Sequence, residues 1–137
     1  TAPCASPVAF ASPAEQPSTP FHSRVLPAMA RPGAWIAPSY APLPSAPRLR
    51  LFCLPWAGGS SSIYTEWPAL LERAEVEVVP IELPGRNARA DEEPYADLKA
   101  LAADLAAWLA EDSGLLSAPF AVFGHSFGGL CAYELCA

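Results

Sequence analysis

The chain has 137 residues, enough for one domain with a substantial core. Its 14 acids outnumber its 8 lysines and arginines for a net charge of −6, and no basic stripe offsets them. With no apolar run of about 18 to 20 residues either, the composition argues against nucleic acid as a partner and against a membrane-spanning helix.

Proline divides the chain. Eleven of the 17 prolines precede Arg48, in a stretch that is mostly Ala and Ser with Glu15 as its single acid. Such a segment buries too little apolar surface to offset its ordering entropy. Residues 1–47 are therefore expected to be a disordered or polyproline-like tail, and residues 48–137 the folded domain, which carries 6 of the basic residues against 13 acids. Arg24 and Arg31 among Ser, Ala and Pro have the acid-poor character of an organelle transit peptide. The same composition suits an interdomain linker. The first residue is Thr and the only methionine is Met29, so the N-terminus is read as processed, spliced from a larger polypeptide, or incomplete.

In the folded part, residues 49–54 are nearly all apolar and stop at Pro55, which predicts a short strand buried on both faces. After a turn at Ala57-Gly58-Gly59-Ser60, the spacing of Ile63, Trp67, Leu70 and Leu71 predicts a helix face, restarted at Trp67-Pro68. Val76, Val78, Val79 and Ile81 form a second strand, closed by Pro84-Gly85. The stripe Leu98, Leu101, Ala102, Leu105, Trp108 and Leu109 predicts the best helix, over residues 95–111. A third strand, 120–123, runs into Gly124, and a helix opens after Phe127. Strand and helix alternate, which means α/β architecture: about three parallel strands with flanking helices and right-handed crossovers.

Four cysteines, Cys4, Cys53, Cys131 and Cys136, show no C-x-x-C spacing. Cys53, Cys131 and Cys136 read as small buried hydrophobes. Neither a disulfide nor a metal is expected.

Gly124-His125-Ser126-Phe127-Gly128 is the nucleophile-elbow pattern, a serine on a strained turn between strand and helix, with glycines where a larger side chain would strike neighbouring backbone. The context fits, because the motif lies between an apolar strand and a helix. Ser126 stands where a dinucleotide fingerprint needs its middle glycine, and no G-K-[ST] phosphate loop occurs. A tetrahedral intermediate needs two backbone donors. Phe127, after the nucleophile, supplies one; Ala57, in the loop after the first strand, is the expected second.

Three collinear segments carry a resemblance: Leu-Phe-Cys-Leu-Pro-Trp-Ala-Gly-Gly-Ser from Leu51, Glu-Leu-Pro-Gly-Arg from Glu82 with Arg89 following, and Gly-His-Ser-Phe-Gly-Gly with Ala-Tyr-Glu-Leu. Together they resemble the type II thioesterases of polyketide, nonribosomal peptide and fatty acid synthesis, which are α/β hydrolases. A soluble intracellular protein is expected, cytoplasmic, or plastid or mitochondrial if the tail is a transit peptide, and the family resemblance calls for an enzyme with no cofactor of its own. It would hydrolyse acyl groups held on the phosphopantetheine of acyl or peptidyl carrier proteins, with Ser126 as nucleophile and the Ala57 and Phe127 amides as oxyanion hole. Trp56 departs from the pattern, either altering the pocket entrance or simply packing. Arg86 either approaches the carrier or its phosphate, or braces its loop. The first strand should lie between the second and third, leaving strand 120–123 at an open, aggregation-prone edge.

A serine needs a base, and the chain holds only His22, in the tail, and His125, beside the nucleophile on the same turn. By resemblance the triad acid and histidine follow the elbow at longer range. No base or triad acid is assigned, and the 137 residues alone are expected to be close to inert. An esterase, a synthase-terminal hydrolase domain and a noncatalytic carrier-binding remnant are the rival readings.

Overall fold

A computed structural model describes residues 8–11, 35–111 and 114–137. Its centre is strand β2 (Leu49–Leu54), flanked by β3 (Val76–Pro80) and β4 (Phe120–Gly124), both parallel to it. The sheet is an α/β-hydrolase-like arrangement of three parallel strands with helices on its faces. Phe52 lies beside Val79 on one side and Val122 on the other. Those three, with Leu54 and Ile81, point toward α2 (Leu98–Glu111) and α3 (Phe127–Cys136), where Leu101, Leu105, Trp108, Leu109, Cys131 and Ala132 close the larger core. Cys53 and Val78 project to the opposite face, against Tyr64 and the short helix α1 (Trp67–Leu71). Burial on both faces is what near-continuous apolar strands require.

Helix α2 begins at Leu98, not near Tyr95, because the Asp97 side chain caps it, accepting the amides of Ala100 at 3.1 Å and Lys99 at 3.4 Å. The face expected from Ile63 through Leu71 is also corrected. A 3-10 turn (Ser61–Tyr64) precedes α1 and another (Glu72–Ala74) ends it, so no continuous 3.6-residue period exists. Tyr64 is buried and donates to the Leu54 carbonyl at 2.6 Å, while Leu70 is exposed.

The boundary at Arg48 does not hold. Trp35 is fully buried, Ile36 bridges Ile81 in antiparallel sense, and the amides of Ala37 and Glu82 bond Pro80 O at 3.0 Å and Trp35 O at 2.8 Å. Residues 35–37 thus line the outer edge of β3. Three apolar residues between prolines are too few to show a period, yet one tryptophan buries enough area to anchor them. Tyr40 extends the docking, donating to Glu77 Oε1 at 3.0 Å. The expected open edge at β4 is corrected too. Strand β1 (Val8–Ala11) pairs antiparallel along it, Val8 opposite Phe123 and Ala11 opposite Phe120, satisfying backbone groups that would otherwise face outward. The rest of residues 1–34, with Cys4 and His22, lies outside the described residues.

Cys53 and Cys131 are buried as expected, but Cys136, near the end of α3, is exposed. Burial pushes the Cys53 thiol up to about 12 and that of Cys131 up to about 11. Thiolate is the reactive form. In the native chain at pH 8, iodoacetamide should therefore modify Cys136 at least about 10-fold faster than Cys53 or Cys131. Peptide mapping would check this, and equal rates would contradict the burial.

No described helix is long and apolar enough to cross a membrane, and the described residues include no group of three or more His, Cys, Asp or Glu able to hold a metal ion.

Candidate active site

Strand β4 ends at Gly124 and α3 begins at Phe127, so the chain reverses across His125 and Ser126 alone. Ser126 makes the reversal with φ 54° and ψ −113°, a sparsely populated conformation for a residue with a side chain. Local bonds hold it there. The Gly129 and Leu130 amides donate to Ser126 O at 2.9 and 3.3 Å, and Gly128 N donates to His125 O at 2.9 Å. Both motif glycines are sterically compulsory. A Cβ on Gly124 would lie 2.0 Å from Gly128 O, and one on Gly128 would lie 2.1 Å from Leu54 O. The turn is thus wedged against the end of β2, and Ser126 stands exposed above the sheet.

Facing it is a second turn. Gly59 N bonds Trp56 O at 2.9 Å, closing a four-residue reversal in which Gly58 has φ 77°. Nothing lies within 4 Å of a Cβ built on Gly58, so conformation, not space, demands glycine there. That closure leaves the Ala57 N–H outside the turn's own bond. The Phe127 amide is likewise one of the first helical N–H groups, which have no partner within their helix. Trp56, Ala57, His125 and Ser126 line one open hollow of ≈ 310 Å³. This is near the lower limit of small-molecule sites. Trp56 is 42% exposed and its ring meets that of His125 edge-on, centroids 5.6 Å apart.

The residues after β3 brace this arrangement. Arg86 Nη1 donates to both Trp56 O and Gly59 O at 2.8 Å, and its guanidinium lies 5.7 Å from the Phe127 ring centroid. Glu82 is fully buried. Its carboxylate accepts Ser61 Oγ at 2.5 Å and Asn87 Nδ2 at 3.0 Å. Arg89 donates to Glu82 O at 3.1 Å, lies 4.8 Å from the Trp35 ring centroid, and grips Glu92 with two bonds of 2.8 and 2.6 Å. Those bonds hold the Glu92 carboxyl below its usual range. Ser61 and Asn87 were not singled out from the sequence, and Glu82 entered only as the first residue of Glu-Leu-Pro-Gly-Arg, with no role. The one available signal was an acid inside an apolar run directly before Leu-Pro-Gly.

The thioesterase domain family matches residues 49–137, from the start of β2 through α3. The chain belongs to that family. Solved structures that it resembles include type II thioesterases from the borrelidin and yersiniabactin biosynthetic pathways. Among curated proteins it is 43% identical over 91 residues to the gramicidin S biosynthesis protein GrsT of Aneurinibacillus migulanus, covering 66% of this chain and 34% of GrsT. It is 40% identical to the medium-chain S-acyl fatty acid synthase thioesterase of Anas platyrhynchos, covering 63% of this chain and 33% of that enzyme. Among solved structures, the type II thioesterase BorB from the borrelidin biosynthetic cluster superimposes with a TM-score of 0.64 at 35% identity, covering 77% of this chain and 41% of BorB. The chain thus spans about a third of the length of these curated relatives.

Proposed function

We propose that this thioesterase-family chain carries the nucleophile and oxyanion-binding portion of a hydrolase for acyl thioesters on the phosphopantetheine of acyl or peptidyl carrier proteins. The observation that carries this reading is the strained Ser126 turn, opposed across one hollow by the Trp56–Gly59 turn. Ser126 Oγ attacks the thioester carbonyl carbon and gives its proton to a general base. The carbonyl oxygen becomes an oxyanion received by the Ala57 and Phe127 amides, each worth about 3 kcal/mol if its loss costs what such donors cost elsewhere. Collapse breaks the C–S bond and the carrier thiol leaves with a proton. Water then attacks the acyl-serine, releasing the carboxylic acid and restoring the hydroxyl.

His125 is a poor base for this step, since it is part of the same reversal and its ring packs on Trp56. A polypeptide of these 137 residues alone is therefore expected to hydrolyse thioesters some 10⁶-fold more slowly than an enzyme with a complete triad. The deciding experiment is a chimera in which residues 49–137 replace the matching segment of GrsT. It should hydrolyse acyl-carrier thioesters, and Ser126→Ala should abolish turnover. Faster hydrolysis of oxygen esters would favour an esterase, and turnover surviving Ser126→Ala would overturn the assignment.

A further inference from the structure

The two walls of the oxyanion site lie on different parts of the chain. Ala57 belongs to the turn after β2 and Phe127 to the start of α3; sheet pairing ties Leu54 to Gly124, and each amide lies three residues beyond that tie. Arg86 touches both. One guanidinium nitrogen holds the first and last carbonyls of the Trp56–Gly59 turn, and the same group lies over the Phe127 ring. Both hydrogens of Nη1 are thereby committed to the protein's own backbone.

Arg86 is itself held firmly. Its turn is closed by Gly85 N to Arg89 O at 2.9 Å and Arg89 N to Arg86 O at 2.7 Å. Gly85 has φ 79°, and a Cβ there would lie 2.5 Å from Pro94. The next residue, Asn87, has φ 42° and donates its amide to Glu82. The same carboxylate takes Ser61 Oγ, two residues beyond Gly59, so the turn after β3 grips the Ala57 loop at two points.

From these contacts we infer that Arg86 is a positioning residue that fixes the separation of the Ala57 and Phe127 amides, with Glu82 holding the far end of the same loop. The inference rests on the proposed roles of those two amides. Oxyanion donors act only if aimed before charge develops, and a misplacement of about 1 Å can cost about 10²-fold in rate. Lysine retains the charge but lacks the planar fork.

The chimera described above supplies the kinetic test. Arg86→Ala should lower kcat by about 10- to 100-fold on both an acyl-carrier protein and a small acyl-pantetheine, with KM for each within about twofold. Arg86→Lys should recover part of the loss. Unchanged kcat, or a raised KM confined to the carrier-bound substrate, would overturn the inference, the latter in favour of carrier contact. A second arm uses the 137-residue chain and needs no activity. Amide hydrogen exchange at Gly59 should accelerate in Arg86→Ala relative to the parent while exchange in β2 is unchanged. Unaltered Gly59 exchange would also overturn the inference. An inactive parent chimera would count against the functional reading and leave the exchange result to decide this one.

Discussion

Exchanging Ser126 for glycine is expected to stabilise the fold while removing the proposed nucleophile, whereas Gly128→Ala at the same turn should come close to unfolding it. The two results share one cause. Ser126 sits at φ 54° and ψ −113°, a strain worth about 1–3 kcal/mol that a glycine largely escapes. Against this stands the greater freedom of glycine in the unfolded chain, about 0.5–1 kcal/mol. A net gain of about 1 kcal/mol remains, equivalent to about 4–8 °C in Tm for a domain of this size. Ser126→Ala keeps the strain and should show no such gain. At Gly128 the added methyl would meet the Leu54 and Pro55 carbonyls at 2.1 and 2.8 Å. Backbone on the central strand has little freedom to retreat, so the cost should reach or exceed about 3 kcal/mol, the upper end for overpacking. Urea melts of the four chains would check the ranking. A glycine variant no more stable than the alanine variant would mean that the turn carries no strain.

The second large effect is expected at the opposite end of the sheet. Arg50 and Glu77 are side-by-side neighbours on β2 and β3, with side chains 9% and 3% exposed, and they form a close ion pair. Arg50 also donates to Gly114 O at 2.8 Å and to Leu115 O, pinning the approach to β4. Glu77 accepts Tyr40 and the Leu43 amide, pinning the segment that leads into β2. Glu77→Ala would strand a buried guanidinium, and breaking such a pair typically costs about 3–5 kcal/mol. That is a large part of the roughly 5–15 kcal/mol that keeps a domain folded. Removing both charges together, as Arg50→Met with Glu77→Leu, should cost far less because no unpaired ion is left. Equilibrium unfolding of the single and double variants tests this. A loss below about 1 kcal/mol for Glu77→Ala would show that water reaches the pair.

The parallel strands were legible because burial on both faces writes continuous apolar runs, as in Leu51–Leu54 and Phe120–Phe123. Helix α2 was legible because 14 residues hold the period long enough to see it. The elbow was legible because steric necessity leaves glycines at fixed spacing around Ser126. Trp35 was hidden by its proline-rich surroundings, and β1 by a four-residue length that carries no pattern of its own. Glu82 and Arg50 were hidden for a different reason. Their burial depends on hydrogen bonds to partners distant in sequence, Ser61 for Glu82 and Leu115 for Arg50, and composition registers them only as surface charge. For Arg86 the sequence offered carrier contact and, in preference, loop bracing, but not the atoms it would brace, the Trp56 and Gly59 carbonyls.

Because β1 runs antiparallel to β4, with Val8 opposite Phe123 and Ala11 opposite Phe120, its two ends lie at opposite ends of the sheet. A spectroscopic label at position 8 would therefore report on the Ser126 turn, and one at position 11 on the far end, where β4 begins.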